Sequence, residues 1–525
     1  MKRENWASRL GIILAVAGSA VGLGNFMRFP VQAVENGGGA FMIPYIVALL
    51  LLGIPLCWVE WTMGRAAGGH GHGSGPGIFN VFWNSRLSRW FGALGIFIPL
   101  VIYFYYVLIE AWCLGYAWHA LSGSLGMAAS EGQLKEFLSG FQGVADNKWF
   151  SGVSAGYVFF LIVFFLNFFV IYFGVARGIE WISKIAMPVL VLLGAFIMFR
   201  VLTLGAPNPA QPDWNVFNGF GFFWNPDFSA LTDSKVWLAA AGQIFFTTSV
   251  GLGLIITYAS YLKQNDDVAL SGLTAISINE FVEVVIGGSI AIPAAFIFFG
   301  GPGAEEVAKS GGFNLVFVTM PYVFDQMAFT ALFGFMWFFL LFLAGVTSSV
   351  SMLQPAIAFL EDEFNLNRHQ SVGILAVVSF IACQPTVFFL ANGVLDMLDF
   401  WAGTVLIVVF ATGEVILFAW IYGVDKGYDQ MMHGADIRVP SFVKFVIKYV
   451  TPSFLLIILG SWFYQNILMI FLAPDDDTYN ELFLVKMFSG DDRAYAIGAM
   501  AGMGLFMLLL IALVEIAWRR RENAK

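Results

Sequence analysis

The chain reads as an all-α polytopic membrane protein with twelve transmembrane helices. It is arranged as a five-plus-five inverted repeat, with spans one and six unwound at the midplane. Three observations predict this. The 525 residues are 59% hydrophobic and only 12% charged, whereas soluble domains carry about 25% charged residues. Twelve apolar segments are long enough to cross a bilayer, near 8–34, 39–63, 90–121, 152–174, 178–202, 236–262, 269–299, 328–360, 371–390, 394–423, 441–471 and 494–518. The tetrapeptide V-G-L-G occurs at both 21–24 and 250–253, inside spans one and six.

Span one sets the pattern. No charge falls between Arg9 and Arg28, yet Gly18, Gly22 and Gly24 crowd its middle beside Ser19 and Asn25. Each glycine weakens a helix by roughly 1 kcal/mol, and unwound backbone at membrane depth is tolerated only beside protein or a cavity. A break near 21–24 is therefore expected, with free carbonyls and amides facing a site; a small-residue packing face is the plainer alternative. The second copy sits in an equally charge-free stretch between Lys235 and Lys263. Two glycine-interrupted spans at matching places in two halves point to a transporter site. Because the copies lie five spans apart, an odd number, the second is inverted.

An even number of spans puts both termini on one side. Eighteen Lys and Arg residues then fall on the terminus side and seven on the other, so the positive-inside rule makes both termini cytoplasmic. The pieces at 122–151, 203–235 and 300–327 are expected to be extracellular caps with short helices. Gly68 to Gly73 reads as a cytoplasmic turn; His70 and His72 are potential metal ligands, but a flexible glycine-rich turn is the preferred reading. Residues 1–423 form the expected transporter core, and 424–525 add two helices and a cytoplasmic tail.

Composition excludes several classes. The net charge of −9 is spread through loops, and no basic tract points to nucleic acid. Cys57, Cys113 and Cys383 lie in apolar segments and imply no disulfide framework. No cleavage site follows the first residues, so they do not read as a signal peptide. No nucleotide-binding loop is present, which argues against ATP-driven pumping by this chain, and no Ser/His or paired-Asp arrangement suggests an enzyme.

Span eight carries Gly345, Thr347, Ser348 and Ser349 in a charge-free stretch. Such hydroxyls can bond their own helix. With the freed carbonyls of the broken spans they also suit a hard cation, which wants several oxygens. Glu60, Glu110, Glu283 and Glu414 are ionisable groups within spans and so candidates for function. For Glu60 the expected role is bracing unwound backbone. Asn279 and Gln243 are candidates for interhelical bonds or ion ligation.

These features, with W-A-S-R-L-G at Trp6, A-V-G-L-G-N-F-M-R-F-P at Ala20, E-N-G-G-G-A-F at Glu35, G-Q-I-F-F-T at Gly242 and A-G-V-T-S-S at Ala344, mark a resemblance. The chain resembles bacterial amino acid transporters of the neurotransmitter:sodium symporter family, most clearly through span ten. The resemblance implies two sodium ions. Sodium site one would use Ala20, Asn25, Thr247 and Asn279, completed by the substrate carboxylate. Sodium site two would use backbone oxygens of Gly18, Val21 and Ala344 with the hydroxyls of Thr347 and Ser348. It implies a substrate held by Ala20, Gly22, Gly24, Ile102, Tyr106, Phe246, Thr247, Ser249, Leu252, Ser348 and Met352. Monoamine transporters of the family carry aspartate at the position of Gly22, so glycine implies an amino acid substrate. Leu252 stands where a leucine-transporting member has phenylalanine, which implies a pocket wide enough for aromatic side chains. Implied gates are Arg28 with Asp399, and Arg3 with Asp362 near Trp6, Tyr261 and Gln354. Chloride-dependent relatives have serine where this chain has Glu283, one turn after Asn279. A carboxylate there implies chloride independence, with proton return coupled to sodium entry as a further expectation.

The expected function is therefore sodium-coupled import of a neutral, hydrophobic L-amino acid by alternating access, in a bacterial inner membrane. A non-transporting amino acid sensor on the same scaffold is the alternative. The expected partners are that amino acid, sodium and the lipid bilayer, with no nucleic acid; a homodimer is an open option.

Overall fold

A computed structural model describes residues 4–468, 472 and 483–523. Among these there is no strand, only an isolated bridge between Gly38 and Pro226. Ten helices are long and apolar enough to cross a membrane: Gly39–Gly68, Arg86–Leu121, Ser154–Tyr172, Val175–Leu202, Ala269–Lys309, Thr330–Phe364, Arg368–Phe388, Val394–Met432, Val443–Leu468 and Arg493–Asn523. The two missing spans are the glycine-interrupted ones. Span one is the pair Arg9–Ala20 and Gly24–Glu35, bent by 51°, and span six is the pair Ser234–Thr248 and Leu254–Ala259. Twelve crossings result, in the order expected, with the last residues of span eleven outside the described set.

The two breaks differ although they share V-G-L-G. Span one loses only Val21 to Leu23, and its second half resumes at Gly24. Span six loses five residues, and its backbone turns left-handed at Ser249 (φ 56°), Gly251 (φ 73°) and Gly253 (φ 79°). A left-handed serine is uncommon and marks a constrained position. Glycine at 251 and 253 carries no such cost. Glu60, fully buried in span two, accepts a hydrogen bond from the Gly251 amide at 2.5 Å, which is the bracing role expected for it.

Spans one, three, six and eight form the centre. Span three is buried along almost its whole length, and span eight packs along it with Leu340 to Phe359 buried. Spans four, five, nine and eleven show lipid-facing apolar side chains such as Phe165, Leu192, Ile381 and Ile457. The expected caps contain short helices, among them Ser124–Ser130, Leu134–Phe141, Val216–Trp224 and Met320–Asp325. Span seven runs on beyond its predicted end and breaks at Gly300, whose φ is 70°.

One reading needs correction. The turn after span two is not simply a flexible glycine-rich loop. His72 is buried there, 2.8 Å from Glu363 of span eight, and a buried helix follows at Gly75–Phe82. Among the described residues no group of three His, Cys, Asp or Glu is arranged to hold a metal.

Candidate functional site

The breaks of spans one and six face one cavity of about 490 Å³ between spans one, three, six, eight and ten. Its wall includes Ala20, Gly22, Gly24, Ile102, Tyr106, Phe246, Thr247, Ser249, Leu252, Ser348 and Met352, so the eleven residues named from sequence lie together. The charged side chains in the same wall are Arg28, Glu35, Asp396 and Asp399, of which Arg28 lies over Phe246. The second half of span one starts there with Leu23 at its N-cap and no side chain capping it. An uncapped helix start offers free amides and the positive end of the helix dipole, which favours an anion such as a carboxylate. The Leu23 amide donates to the Tyr106 hydroxyl at 3.3 Å, leaving the phenol hydrogen for a ligand. A Cβ on Gly22 would be a tight fit, 3.1 Å from Tyr106 Oη and 3.2 Å from Ser348 Oγ.

Two oxygen-rich clusters flank the cavity. In the first, Asn25 Nδ2 donates to Asn279 Oδ1 (2.9 Å) and Thr247 Oγ1 (3.3 Å), and Asn279 Nδ2 donates to Thr247 Oγ1 (2.9 Å). Ala20 ends the first half of span one directly before the break. In the second, Ser348 Oγ donates to the carbonyls of Ser19 (3.2 Å) and Gly18 (3.4 Å), while Thr347 Oγ1 donates to those of Ala344 and Leu343 (both 3.1 Å). Gly18 and Thr347 are close packed, since a Cβ on Gly18 would lie 3.1 Å from Thr347 Cβ. Val21, in the break, keeps its amide bonded to Ala17 and so leaves the helical ladder only beyond that point. Both donor sets are all oxygen, which fits a hard monovalent cation and disfavours softer metals.

Glu283 is fully buried against the first cluster. It accepts from Gln243 Nε2 (2.9 Å), Tyr45 Oη (3.0 Å), Asn25 Nδ2 (3.0 Å) and the Thr247 hydroxyl. Tyr45 also lies 2.6 Å from Glu280. Sequence reasoning had singled out Gln243 only loosely and missed Tyr45 and Glu280. Nothing in the spacing of Tyr45 distinguishes it from other tyrosines in apolar spans.

The cavity rises past Arg28 and Asp399 to Gln32, Glu35 and Asp396. Arg28 stacks over Phe246 at 4.7 Å, and Asp399 accepts from Tyr105 at 2.5 Å. The two face one cavity without a direct ion pair among the described contacts. On the terminus side, contacts between elements are dense. Trp6 Nε1 donates to the Tyr258 carbonyl at 2.9 Å, Gln354 to Tyr261 Oη at 2.6 Å, and Arg368 to Gln354 at 2.9 Å. Glu180 binds the Ala7 amide and Ser8 hydroxyl, and Arg9 pairs with Asp267 and Asp436. Arg3 lies outside the described residues; Asp362 stands at the end of span eight beside this layer. Arg9 and Glu180 escaped the sequence reading because the partners that tie them to other spans are more than a hundred residues away.

Twelve spans, two of them broken at a shared cavity between oxygen-rich clusters, define a secondary transporter of the inverted-repeat type. The model of the sodium:neurotransmitter symporter family matches residues 3–136 and 152–483, and the chain belongs to this family. It is 33% identical over 460 residues to an uncharacterised sodium-dependent transporter of Methanocaldococcus jannaschii, covering 87% of this chain and 89% of that protein. It is 26% identical to the sodium-dependent dopamine transporter of Bos taurus, over 87% of this chain and 68% of that one. Among solved structures, the crystal structure of MhsT in complex with L-phenylalanine superposes with a TM-score of 0.74 at 29% identity. That match covers 87% of this chain and 99% of the other.

Proposed function

We propose that the chain is a chloride-independent symporter that uses two sodium ions to import a neutral, hydrophobic L-amino acid. The observation that carries this reading is the wall beside the breaks, where the uncapped start of Gly24–Glu35 suits a carboxylate and Ile102, Leu252 and Met352 are apolar. A charged substrate side chain against those apolar residues would be desolvated, and an unpaired buried charge is costly. Ile102, Phe246, Leu252 and Met352 supply apolar wall, and methionine adapts to differently shaped side chains. MhsT, solved with L-phenylalanine, supports an aromatic or large aliphatic substrate.

Asn25, Thr247 and Asn279 with Ala20 form sodium site one, and the bound carboxylate supplies its remaining ligand. Gly18, Val21, Ala344, Thr347 and Ser348 form sodium site two. A ligand shared between ion and substrate couples their binding, and the coupling is reciprocal. Glu283 provides the negative charge beside site one, so chloride is not required. Arg28 and Asp399 close over the substrate; Arg3 and Asp362 close the side of the termini, which is cytoplasmic.

Equilibrium binding of radiolabelled amino acids to the purified protein tests this reading. Leucine, methionine, phenylalanine and tryptophan should bind, and only in sodium. Preference for glycine, a charged amino acid or a monoamine over all four would overturn it.

A further inference from the structure

Span twelve packs on span three through Phe506, against Phe97 and Phe104. Its middle is largely lipid-exposed at Leu505, Leu508 and Leu509, whereas Val514, Ala517 and Trp518 are buried. Over its last three turns, contacts to three other elements concentrate. Glu515 accepts from Arg86 and Trp90, both at 2.8 Å. Trp518 stacks on His72 at 6.1 Å and lies under the Arg89 guanidinium at 5.4 Å. Arg520 covers Phe364 at 5.6 Å.

Arg521 is the centre of this contact. Its Nε is 3.1 Å from Glu363 Oε2, its Nη2 donates to the Asp362 carbonyl at 2.8 Å, and its Nη1 is 3.1 Å from His72 Nε2. His72 Nδ1 is 2.8 Å from Glu363 Oε1. Arginine only donates, so the nearer ring nitrogen of His72 accepts and Nδ1 carries the hydrogen given to Glu363. The Glu363 side chain is wholly buried. Removing one partner of such a buried charge is costly. Span eight ends at Phe364, so the Asp362 carbonyl is among the last four, which have no donor within their own helix. One guanidinium therefore both caps the last turn of span eight and neutralises the acid next to Asp362.

We propose that Arg521 is a positioning residue for the terminus-side gate: with His72 and Glu363 it straps span twelve to span eight and holds the turn that presents Asp362. This inference rests on the reading of Asp362 as a gate residue. It gives span twelve a task in alternating access. A gate whose anchor is weakened closes less firmly, and the transporter shifts towards the state open on the terminus side.

The test reads that shift directly in the full chain. Ser183, 2% exposed, lies on span five one turn from Glu180, which holds Ala7 and Ser8 at the foot of span one. Ser183→Cys, with Cys57, Cys113 and Cys383 replaced by serine, reports by its maleimide reaction rate whether span one has swung away. In sodium, Arg521→Ala should speed labelling about tenfold, a typical allosteric coupling, and Arg521→Lys should fall between it and the parent. Glu363→Gln should act in the same direction, and it decides the matter if Arg521→Ala does not fold. Asp362→Asn is the control for the gate itself. Faster labelling in Asp362→Asn, with parental rates in Arg521→Ala and Glu363→Gln, overturns the strap. Parental rates in Asp362→Asn overturn the gate reading, and the strap with it. A purely structural role would lower the melting temperature and leave the labelling rate in sodium unchanged, which also overturns the proposal.

Discussion

Replacing Glu283 by serine isolates the chemistry of sodium site one. In the wild type, four donors from three spans converge on this one buried carboxylate: Asn25, Tyr45, Gln243 and Thr247. Serine removes the charge and leaves the donors around a void. The Tyr45 and Thr247 hydroxyls can rotate to other acceptors, and Glu280 already lies 2.6 Å from Tyr45. The Asn25 amide keeps Asn279 and Thr247 as acceptors, and the Gln243 amide loses Glu283. An unsatisfied buried donor costs about 1–3 kcal/mol, and about 1.4 kcal/mol is tenfold in affinity. A small anion in the void restores both partner and charge. Radioligand binding at fixed sodium should therefore weaken about tenfold for Glu283→Ser in gluconate and recover in chloride, while the wild type is indifferent to the anion. Wild-type affinity retained by the variant in gluconate would refute the proposed role of Glu283.

Thr347→Val keeps the shape of the hydroxyl cluster in span eight but removes one oxygen. The sodium concentration for half-maximal substrate binding should rise by about tenfold, the loss of one good polar contact, and an unchanged sodium curve would move site two elsewhere. Gly22→Ala places a Cβ 3.1 Å from Tyr106 Oη and 3.2 Å from Ser348 Oγ. It should weaken substrate binding in a protein that still folds, as monitored by size-exclusion profile and melting temperature; unchanged affinity would place the substrate away from Gly22. Leu252→Phe fills the apolar wall. Competition binding should show tryptophan losing about tenfold relative to leucine, within the usual cost of overpacking; an unchanged order of affinities would remove Leu252 from the pocket.

The broken spans were legible because their cause is local: several glycines in a stretch with no charge cannot form an ordinary membrane helix. The difference between the breaks was not, because the same four residues make a three-residue bend in span one, whereas in span six Gly251 and Gly253 turn left-handed, with Glu60 bound to the Gly251 amide and span three packed against Gly253. Asn279 and Glu283 were readable as neighbours on one face. A π-helical stretch, Phe281–Ile286, nevertheless alters the register there, and the hydrogen-bond partners of Glu283 come from spans one, two and six. His72 shows the limit most clearly. A histidine between glycines looks like a flexible turn until span eight supplies Glu363 and span twelve supplies Arg521, 291 and 449 residues away.

The central claim, coupling of an inward sodium gradient to a neutral hydrophobic amino acid, is tested most directly by uptake into proteoliposomes. With sodium gluconate outside and potassium gluconate inside, labelled leucine or phenylalanine should accumulate above its external concentration, then leave when the sodium gradient is dissipated. Binding without accumulation, or accumulation that persists when potassium replaces sodium outside, would contradict the account.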